Sequence, residues 1–155
     1  MYIRRASVKD IPEIKKLLDQ VNAVHHDGRP DLFRLGRKYT DEELTTLLSD
    51  DSRPVFVAAD AADVAQGYAF CVFQHNEGSH ILEPVTTLYI DDLCVDEQHR
   101  GQHIGTELYN YVLGFARENG CHNVTLHVWS CNPSAVKFYE HCGLTPQMVC
   151  MEKVL

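Results

Sequence analysis

The chain has 155 residues, of which 45% are hydrophobic and 23% are charged, a composition typical of a globular domain. This length lets a chain bury about two thirds of its unfolded surface, so we predict a single domain over residues 1–155 with a substantial core. The formal net charge of −8 disfavours nucleic acid as a partner, because phosphate binding needs a concentrated basic face. A cationic amine suits this charge better, although a solvated acidic surface is the commoner reason for it.

Other features of the composition bear on metal binding and location. The sequence contains neither an HExxH motif nor paired Cys/His spacings, so we expect no metal site. The six cysteines form no CxxC pair and lie mostly in apolar stretches, which favours reduced thiols. No segment approaches the roughly 18 apolar residues that cross a bilayer, and the first residues lack an apolar leader. We therefore expect a cytoplasmic protein without a membrane partner.

The first half of the chain predicts a strand, two helices and three more strands. Alternation over 1–7 indicates the first strand, and apolar spacing over 10–24 indicates a helix. A second helix over 39–50 begins at Thr40, whose spacing from Glu43 is that of a capping box. Three apolar runs then predict an antiparallel meander, at 53–60, 66–75 and 86–95.

The second half alternates helix and strand. We predict a helix over 104–120, a strand over 122–129, a helix over 132–143 capped by Asn132, and a last strand over 146–155. This order implies an α/β fold with a mixed sheet and helices on both of its faces. The strands that flank the helix 104–120 should be parallel neighbours joined by a right-handed crossover.

The segment DEQHRGQHIGTEL, residues 96–108, joins a strand to the start of a helix. Free backbone N–H groups and the helix dipole make such a start an anion site. Gly101 and Gly105 let the backbone approach a ligand closely, and Arg100 adds a cation. These features predict a pyrophosphate ligand, with a simple capped turn as the alternative. The sequence matches neither GxxxxGK[ST] nor a GxGxxG after a first strand, which disfavours a nucleoside triphosphate or a dinucleotide.

Two segments resemble motifs of the Gcn5-related N-acetyltransferases (GNAT). EQHRGQHIGTEL resembles their Arg/Gln-x-x-Gly-x-Gly/Ala signature, as Arg100-x-x-His103-x-Gly105, and NPSAVKFYEHCGL resembles their Asn-x-x-Ala-x-x-Phe-Tyr-x-x-x-Gly-Phe segment. The resemblance implies one N-acetyltransferase domain over 1–155, with a mixed central sheet of six to seven strands and about four helices. It also implies acetyl-coenzyme A as co-substrate, bound in a cleft where two parallel strands splay apart.

The resemblance further implies which residues hold coenzyme A. Main-chain groups of one strand would pair with pantetheine, the N–H groups of the signature loop would hold the pyrophosphate, and the start of the last helix would approach pantetheine or adenosine. The implied set is Leu93, Cys94, Val95, Arg100, Gly101, Gln102, His103, Ile104, Gly105, Thr106, Asn132 and Ser134. His103 stands where the signature has its first glycine, so the loop is strained if φ must be positive there.

Acetyl transfer to an amine requires a proton acceptor, because an alkyl amine with a pKa of about 10.4 is protonated at neutral pH. Asp91 and Asp92 lie in the strand that should border the cleft, and alternation predicts that they point to opposite faces. The stretch LYIDDLCV followed by HRGQHIG also resembles the spermidine/spermine acetyltransferases, which implies Asp91 as the base, acting through a water. Asp92, a water chain, and two solvent-facing carboxylates remain the alternatives.

The resemblance assigns Tyr139 as the acid that protonates the coenzyme A thiolate, whereas helical spacing alone favours a core aromatic. The oxyanion would be held by a backbone N–H near Cys94 or Val95. Direct attack is favoured over an acetyl-cysteine at Cys94, which has no partner base in its apolar strand.

The acceptor is expected to bind between the loop 25–40 and the hairpin 74–84. Their charges conflict, because acidic side chains there would attract a cationic amine and basic ones would repel it; the acidic group is Asp27, Asp31, Glu77 and Glu83, and the basic group is Arg29, Arg34, Arg37 and Lys38. A polyamine, an aminoglycoside, an amino acid and a protein N-terminus all remain open. A non-catalytic acyl-coenzyme A binding or sensing module is the alternative function. The resemblance also implies a homodimer paired through C-terminal strands.

Overall fold

The structure is a computed structural model that describes residues 1–155. Its strands and helices follow in the order β1 (Tyr2–Arg5), α1 (Ile11–Gly28), α2 (Asp41–Leu48), β2 (Val55–Ala59), β3 (Ala65–His75), β4 (Thr86–Val95), α3 (Ile104–Glu118), β5 (Asn123–Leu126) and α4 (Pro133–His141). Two short 3-10 turns precede α1 and α3. The predicted α/β class with four helices is confirmed.

The strands form one sheet in the order β1-β2-β3-β4-β5. The pairs from β1 to β4 are antiparallel, and β4 pairs with β5 in parallel. This arrangement confirms both the predicted meander and the predicted parallel pair around α3. Each face of the sheet carries its own hydrophobic core, one packed with α1 and α2 and the other packed with α3. Strand β4 contributes to both cores and therefore lies at the centre of the molecule.

The start of α2 follows the predicted capping box. The Thr40 hydroxyl accepts a hydrogen bond from the backbone N–H of Glu43, and the Glu43 carboxylate accepts one from the N–H of Thr40. Two backbone donors at the helix start are therefore satisfied locally, which is why this boundary is readable from sequence.

The prediction of a last strand over 146–155 was wrong, and the sheet has five strands rather than six to seven. Apolar side chains of this segment are exposed, among them Met148, Met151 and Val154. Alternating apolar residues stabilise a strand only when another strand and a core lie against them, and this segment has neither. A double hydrogen bond between Glu152 and Arg29 ties the segment to the end of α1.

Candidate active site

Strand β4 loses its parallel neighbour halfway along its length. The last pair joins Ile90 to Leu126, where β5 ends, so residues 91–95 have no strand on that side. The pairing of these two parallel strands therefore ends at the point where the family resemblance places the cleft. The main chain of Leu93, Cys94 and Val95 lies at this open edge, which is where an extended ligand has access to backbone hydrogen-bonding groups.

Asp91 forms a β-bulge in this strand. In the register with β3, Phe70 pairs with Asp92 but the next residue, Cys71, pairs with Ile90, which leaves Asp91 as an extra residue. Ile90 and Leu93 consequently both pack on the α3 side of the sheet, with two residues between them instead of one.

Both aspartates therefore face the side of α1 and α2. Asp92 bonds to Tyr68, whose ring belongs to the α1/α2 core, and Asp91 bonds to Lys38 from the loop between those helices. The prediction that Asp91 and Asp92 point to opposite faces was wrong, because it assumed an uninterrupted strand.

Asp92 lies in a densely packed environment with only a small part of the residue exposed. Its carboxylate accepts a hydrogen bond of 2.8 Å from the Tyr68 hydroxyl. Burial raises the pKa of Asp92 to about 6, although the Tyr68 hydrogen bond and the charge of Lys38 act in the opposite direction. A carboxylate with this pKa is ionised at neutral pH and still holds a proton well, which suits a general base.

Asp91 pairs with a cation that sequence reasoning did not assign to the site. The Lys38 ammonium donates a hydrogen bond of 2.9 Å to the Asp91 carboxylate and lies 5.3 Å from the centroid of the Tyr39 ring. Burial lowers the pKa of Lys38, but the bond to Asp91 and the neighbouring negative charges raise it above its ordinary value overall. Asp91 and Lys38 are 53 positions apart, so no local pattern indicates this pair.

The start of α3 combines open backbone donors with left-handed backbone conformations. Gly101 has φ 79° and His103 has φ 62°. The N–H groups from Gly101 to Thr106 donate no hydrogen bond within the protein. Successive free N–H groups in alternating backbone conformations form an anion-binding concavity, which fits a pyrophosphate.

Several residues of this loop have structural roles as well. The Arg100 guanidinium donates to the Val95 carbonyl at 3.3 Å, which ties the loop to the end of β4. A Cβ added at Gly105 would lie 3.3 Å from the Phe138 ring, so close packing against α4 is one reason for this glycine. The Ile104 side chain is buried in the core beside α3, and only its backbone faces the loop. The exposed Gln102 and the partly buried Thr106 have no side-chain hydrogen bond.

Helix α4 carries Tyr139 toward β4. Asn132 caps this helix by accepting a hydrogen bond from the N–H of Ala135, and the Ser134 hydroxyl donates to the same Asn132 oxygen. The Tyr139 hydroxyl has no hydrogen-bond partner in the protein. Burial raises the pKa of Tyr139, and the negative charge of Asp92 adds to this effect, so the phenol is neutral at pH 7. Tyr139 lies close enough to Asp92 and Cys94 for their charges to raise its pKa, so this part of α4 is near the open part of β4.

The basic residues of the acceptor loop are largely neutralised. Arg29 bonds to Asp31 and Glu152, and Arg37 bonds to Asp19. With Lys38 paired to Asp91, only Arg34 forms no ion pair. The acidic hairpin residues Glu77 and Glu83 are exposed and unpaired, and so is Asp27 apart from a contact with His26. The conflict of charges expected from the sequence is thus mostly removed by pairing within the protein.

An aromatic contact joins this loop to the segment after β5. Phe33 lies 5.0 Å from the His25 ring and 5.1 Å from the Trp129 ring, measured between centroids. Tyr89 of β4 contacts His127 at 5.3 Å on the same scale. Phe33, His127 and Trp129 lie in irregular segments, so no local sequence pattern indicates these contacts.

No three side chains among His, Cys, Asp and Glu gather in a group that would hold a metal ion. None of the helices has the length and apolar character that crossing a membrane requires.

Comparisons with known proteins identify relatives of this arrangement. The acetyltransferase (GNAT) family model matches residues 21–144. The chain is 31% identical over 110 residues to glucosamine 6-phosphate N-acetyltransferase 1 of Oryza sativa subsp. japonica, a match covering 71% of this chain and 62% of that protein. It is 38% identical over 56 residues to thialysine N-epsilon-acetyltransferase of Mus musculus, covering 36% of this chain and 33% of that protein.

A solved structure matches the whole chain. The crystal structure of a mutant of the BH1408 protein from Bacillus halodurans superposes with a TM-score of 0.96 at 28% identity, covering 100% of this chain and 99% of that chain. The family match spans the cleft, the loop before α3 and helix α4 together. This chain belongs to the acetyltransferase (GNAT) family.

Proposed function

We propose that the protein transfers an acetyl group from acetyl-coenzyme A to a primary amine by direct attack. The observation that carries this proposal is the grouping, at the open part of β4, of a neutral tyrosine hydroxyl without a partner and a packed carboxylate whose pKa is about 6. An acid and a base with separated pKa values are what amine acetylation requires.

The free N–H groups from Gly101 to Thr106 support binding of the coenzyme A pyrophosphate, with Arg100 as a nearby cation. The open edge at Leu93, Cys94 and Val95 would pair with pantetheine, and one of its N–H groups would stabilise the oxyanion. Asn132 and Ser134 would border the bound cofactor at the start of α4. The thioester supplies the acetyl group when bound.

The proton acceptor in this proposal belongs to the β4 bulge. Asp91 remains the base that the family resemblance implies, and Asp92 joins it because both face the same side. Asp92 accepts hydrogen bonds from neutral donors, among them the Tyr68 hydroxyl, whereas Asp91 is engaged by a full ammonium charge. A carboxylate of this pair, directly or through one water, would take the proton of the attacking amine.

Tyr139→Phe tests the proposed acid. We expect kcat to fall by about 100-fold or more, with the Kd for coenzyme A unchanged within about twofold, because a general acid contributes to turnover and not to binding. Steady-state thiol release and calorimetry measure the two quantities. The matched control is Tyr109→Phe, which removes the hydroxyl of a neighbouring tyrosine in the core beside α3. Equal losses in both variants, or loss of folding, would return Tyr139 to a packing role.

The acceptor classes need a direct comparison. The relatives are named for thialysine and for glucosamine 6-phosphate, both of which carry a primary amine. Incubating the protein with acetyl-coenzyme A and separate polyamine, aminoglycoside, amino-acid and peptide acceptors, then measuring free thiol, ranks them. Coenzyme A binding without thiol release for any acceptor would favour a non-catalytic binding or sensing module, for which the strained His103 is the supporting feature.

We also propose a homodimer. Strand β5 is an edge of the sheet, and residues 146–155 expose apolar side chains that nothing in the chain covers. A second copy would cover both features. Light scattering over a range of protein concentrations tests this, and Met151→Glu should shift the mass toward the monomer. A monomer at all concentrations would overturn it.

A further inference from the structure

Lys38 is the one basic residue of the loop 29–40 that is paired with the sheet. Arg29 and Arg37 pair with carboxylates of their own loop, of α1 or of the C-terminal segment. Lys38 instead reaches β4 and bonds to Asp91, the extra residue of the bulge. Its ammonium group therefore lies at the point where the cleft between β4 and β5 opens.

The surroundings of this ammonium form a complete recognition site for a cation. Asp91 supplies the carboxylate at 2.9 Å, and the Tyr39 ring lies 5.3 Å away with its negative face available. Tyr39 is held in place because its ring stacks on Phe70 with an interplanar angle of 18°. Carboxylate and ring are thus preorganised by β4 and by the core, and not by Lys38.

The charge of Lys38 also acts on groups around it. It lowers the pKa of His25 in addition to the effect of burial, and it opposes the rise in the pKa of Asp92 and of Tyr89. These groups come from α1 and from β4, so the ammonium occupies the space between the two elements. An amine acceptor that approaches the carboxylates must enter the same space.

Lys38 itself can leave this position at small cost. It belongs to an irregular loop, its side chain is 44% exposed, and its ion pair with Asp91 is its only hydrogen bond. Ion pairs with this degree of exposure contribute little to stability, so a ligand with the same chemical group competes readily.

We propose that Lys38 occupies the ammonium subsite of the acceptor, and that the acceptor is a cationic alkylamine whose ammonium group displaces Lys38 from Asp91 and the Tyr39 ring. This inference deepens the proposed acetyl transfer and rests on it. Lys38 is then a specificity residue, which sets how strongly an amine must compete to enter. The opposite role is an anchor for an anionic acceptor, in which Lys38 keeps its place and binds a phosphate or carboxylate of the amine.

Lys38→Met distinguishes the two roles. With 1,3-diaminopropane as acceptor, we expect a Kd and a KM that are lower by roughly two- to fivefold, since the competing ammonium is gone. Lys38→Arg keeps the charge and should bind the diamine no better than the parent protein. Arg37→Met removes the same charge from the same loop, away from β4, and should change the Kd by less than about twofold. Thermal unfolding of each variant establishes that it folds.

Two readouts keep this inference separate from the proposed reaction. Calorimetry of 1,3-diaminopropane in the presence of coenzyme A measures the subsite without chemistry, and thiol release measures acetyl transfer. Tighter diamine binding in Lys38→Met supports the subsite even if no amine releases thiol, a result that would overturn only the proposed reaction. Unchanged diamine binding overturns the subsite. Weaker binding of glucosamine 6-phosphate to Lys38→Met, with unchanged diamine binding, also overturns it and identifies Lys38 as an anion anchor.

Discussion

His103 holds a left-handed backbone conformation, with φ 62° and ψ 9°, at the position before α3. Such a conformation costs a residue with a Cβ roughly 1–2 kcal/mol, and glycine avoids most of this cost. The sequence predicts strain at His103 only if its φ is positive. This condition is met, so the strain is present. The free N–H groups around it require this backbone path, which explains why the family signature has glycine here.

We predict that His103→Gly raises the free energy of unfolding by about 0.5–1 kcal/mol, the strain relief being partly offset by the entropy of the unfolded glycine. Denaturant titration measures this change. Asp63 is a useful contrast, because it has the same φ but accepts hydrogen bonds from Tyr2, Arg4 and Lys9. Asp63→Gly should therefore destabilise the protein. A loss of stability in His103→Gly would mean that the imidazole makes a contact worth more than the strain.

Asp92 links stability to pH because burial raises its pKa to about 6. The folded state then binds more protons than the unfolded state between about pH 4 and pH 6, so this residue favours folding at low pH and that contribution is lost as pH rises through 6. We predict that Asp92→Asn, which keeps a partner for Tyr68, is more stable than the parent protein by roughly 1–3 kcal/mol at pH 8. The difference should vanish near pH 3.5. Denaturant titrations at both pH values test this, and a constant difference would show that the cause is not ionisation.

The start of α3 is the element on which coenzyme A binding depends in our proposal. Gln102 is exposed there and has no hydrogen bond, so its substitution leaves the core intact. We predict that Gln102→Glu weakens coenzyme A binding about three- to tenfold by placing a carboxylate beside the pyrophosphate. Folding should be unharmed, because a negative charge at a helix start is favourable.

Asn110→Asp provides the control for this prediction, since it adds the same charge to an exposed position further along α3. Calorimetric Kd values for coenzyme A at two salt concentrations compare the variants. The Gln102 effect should shrink at high salt, and the Asn110 variant should match the parent protein. Equal affinities for all three proteins would count against this loop as the phosphate site.

In the molecule as a whole, an aromatic contact joins the loop after α1 to the segment after β5. Trp129 after β5 contacts Phe33 in the loop after α1, and it is the only tryptophan of the chain. We predict that saturating 1,3-diaminopropane shifts the tryptophan emission, because displacement of Lys38 moves the loop that carries Phe33. Phe33→Ala should remove most of this response while the amine still binds. An unchanged spectrum at saturation would show that the loop keeps its position when the acceptor enters.

Much of the fold was predictable because its signals are local. The capping box at Thr40 and the cap at Asn132 are satisfied by backbone groups three residues away, so they work in any fold. The meander and the parallel pair followed from apolar runs and from the rule for crossover connections. The last strand failed because a strand depends on a partner that lies elsewhere in the chain.

The residues of the candidate site also divide into those with a local sequence signal and those without one. The loop from Gly101 to Thr106 was predicted from its motif, since a strand, a bend and a helix start are consecutive in sequence. Tyr139 was found only by the family resemblance, because its helical spacing resembles that of a core residue. Lys38 and Tyr68 were missed, since their contacts with Asp91 and Asp92 join segments that are distant in sequence.

The sequence by itself indicated the family, the types of all the elements up to α4 and the loop that we propose as an anion site, because motifs, caps and periodicity act between near neighbours. Only the tertiary structure decided how the two aspartates share one face, which cation pairs with Asp91, and how closely Gly105 approaches Phe138. The physical reason is that these features depend on how distant segments are placed against one another. They are a bulge, an ion pair between a loop and the sheet, and a close approach of two helices. The register at the bulge places two adjacent carboxylates on one face, where the mechanism that we propose uses them to bind and to deprotonate an amine.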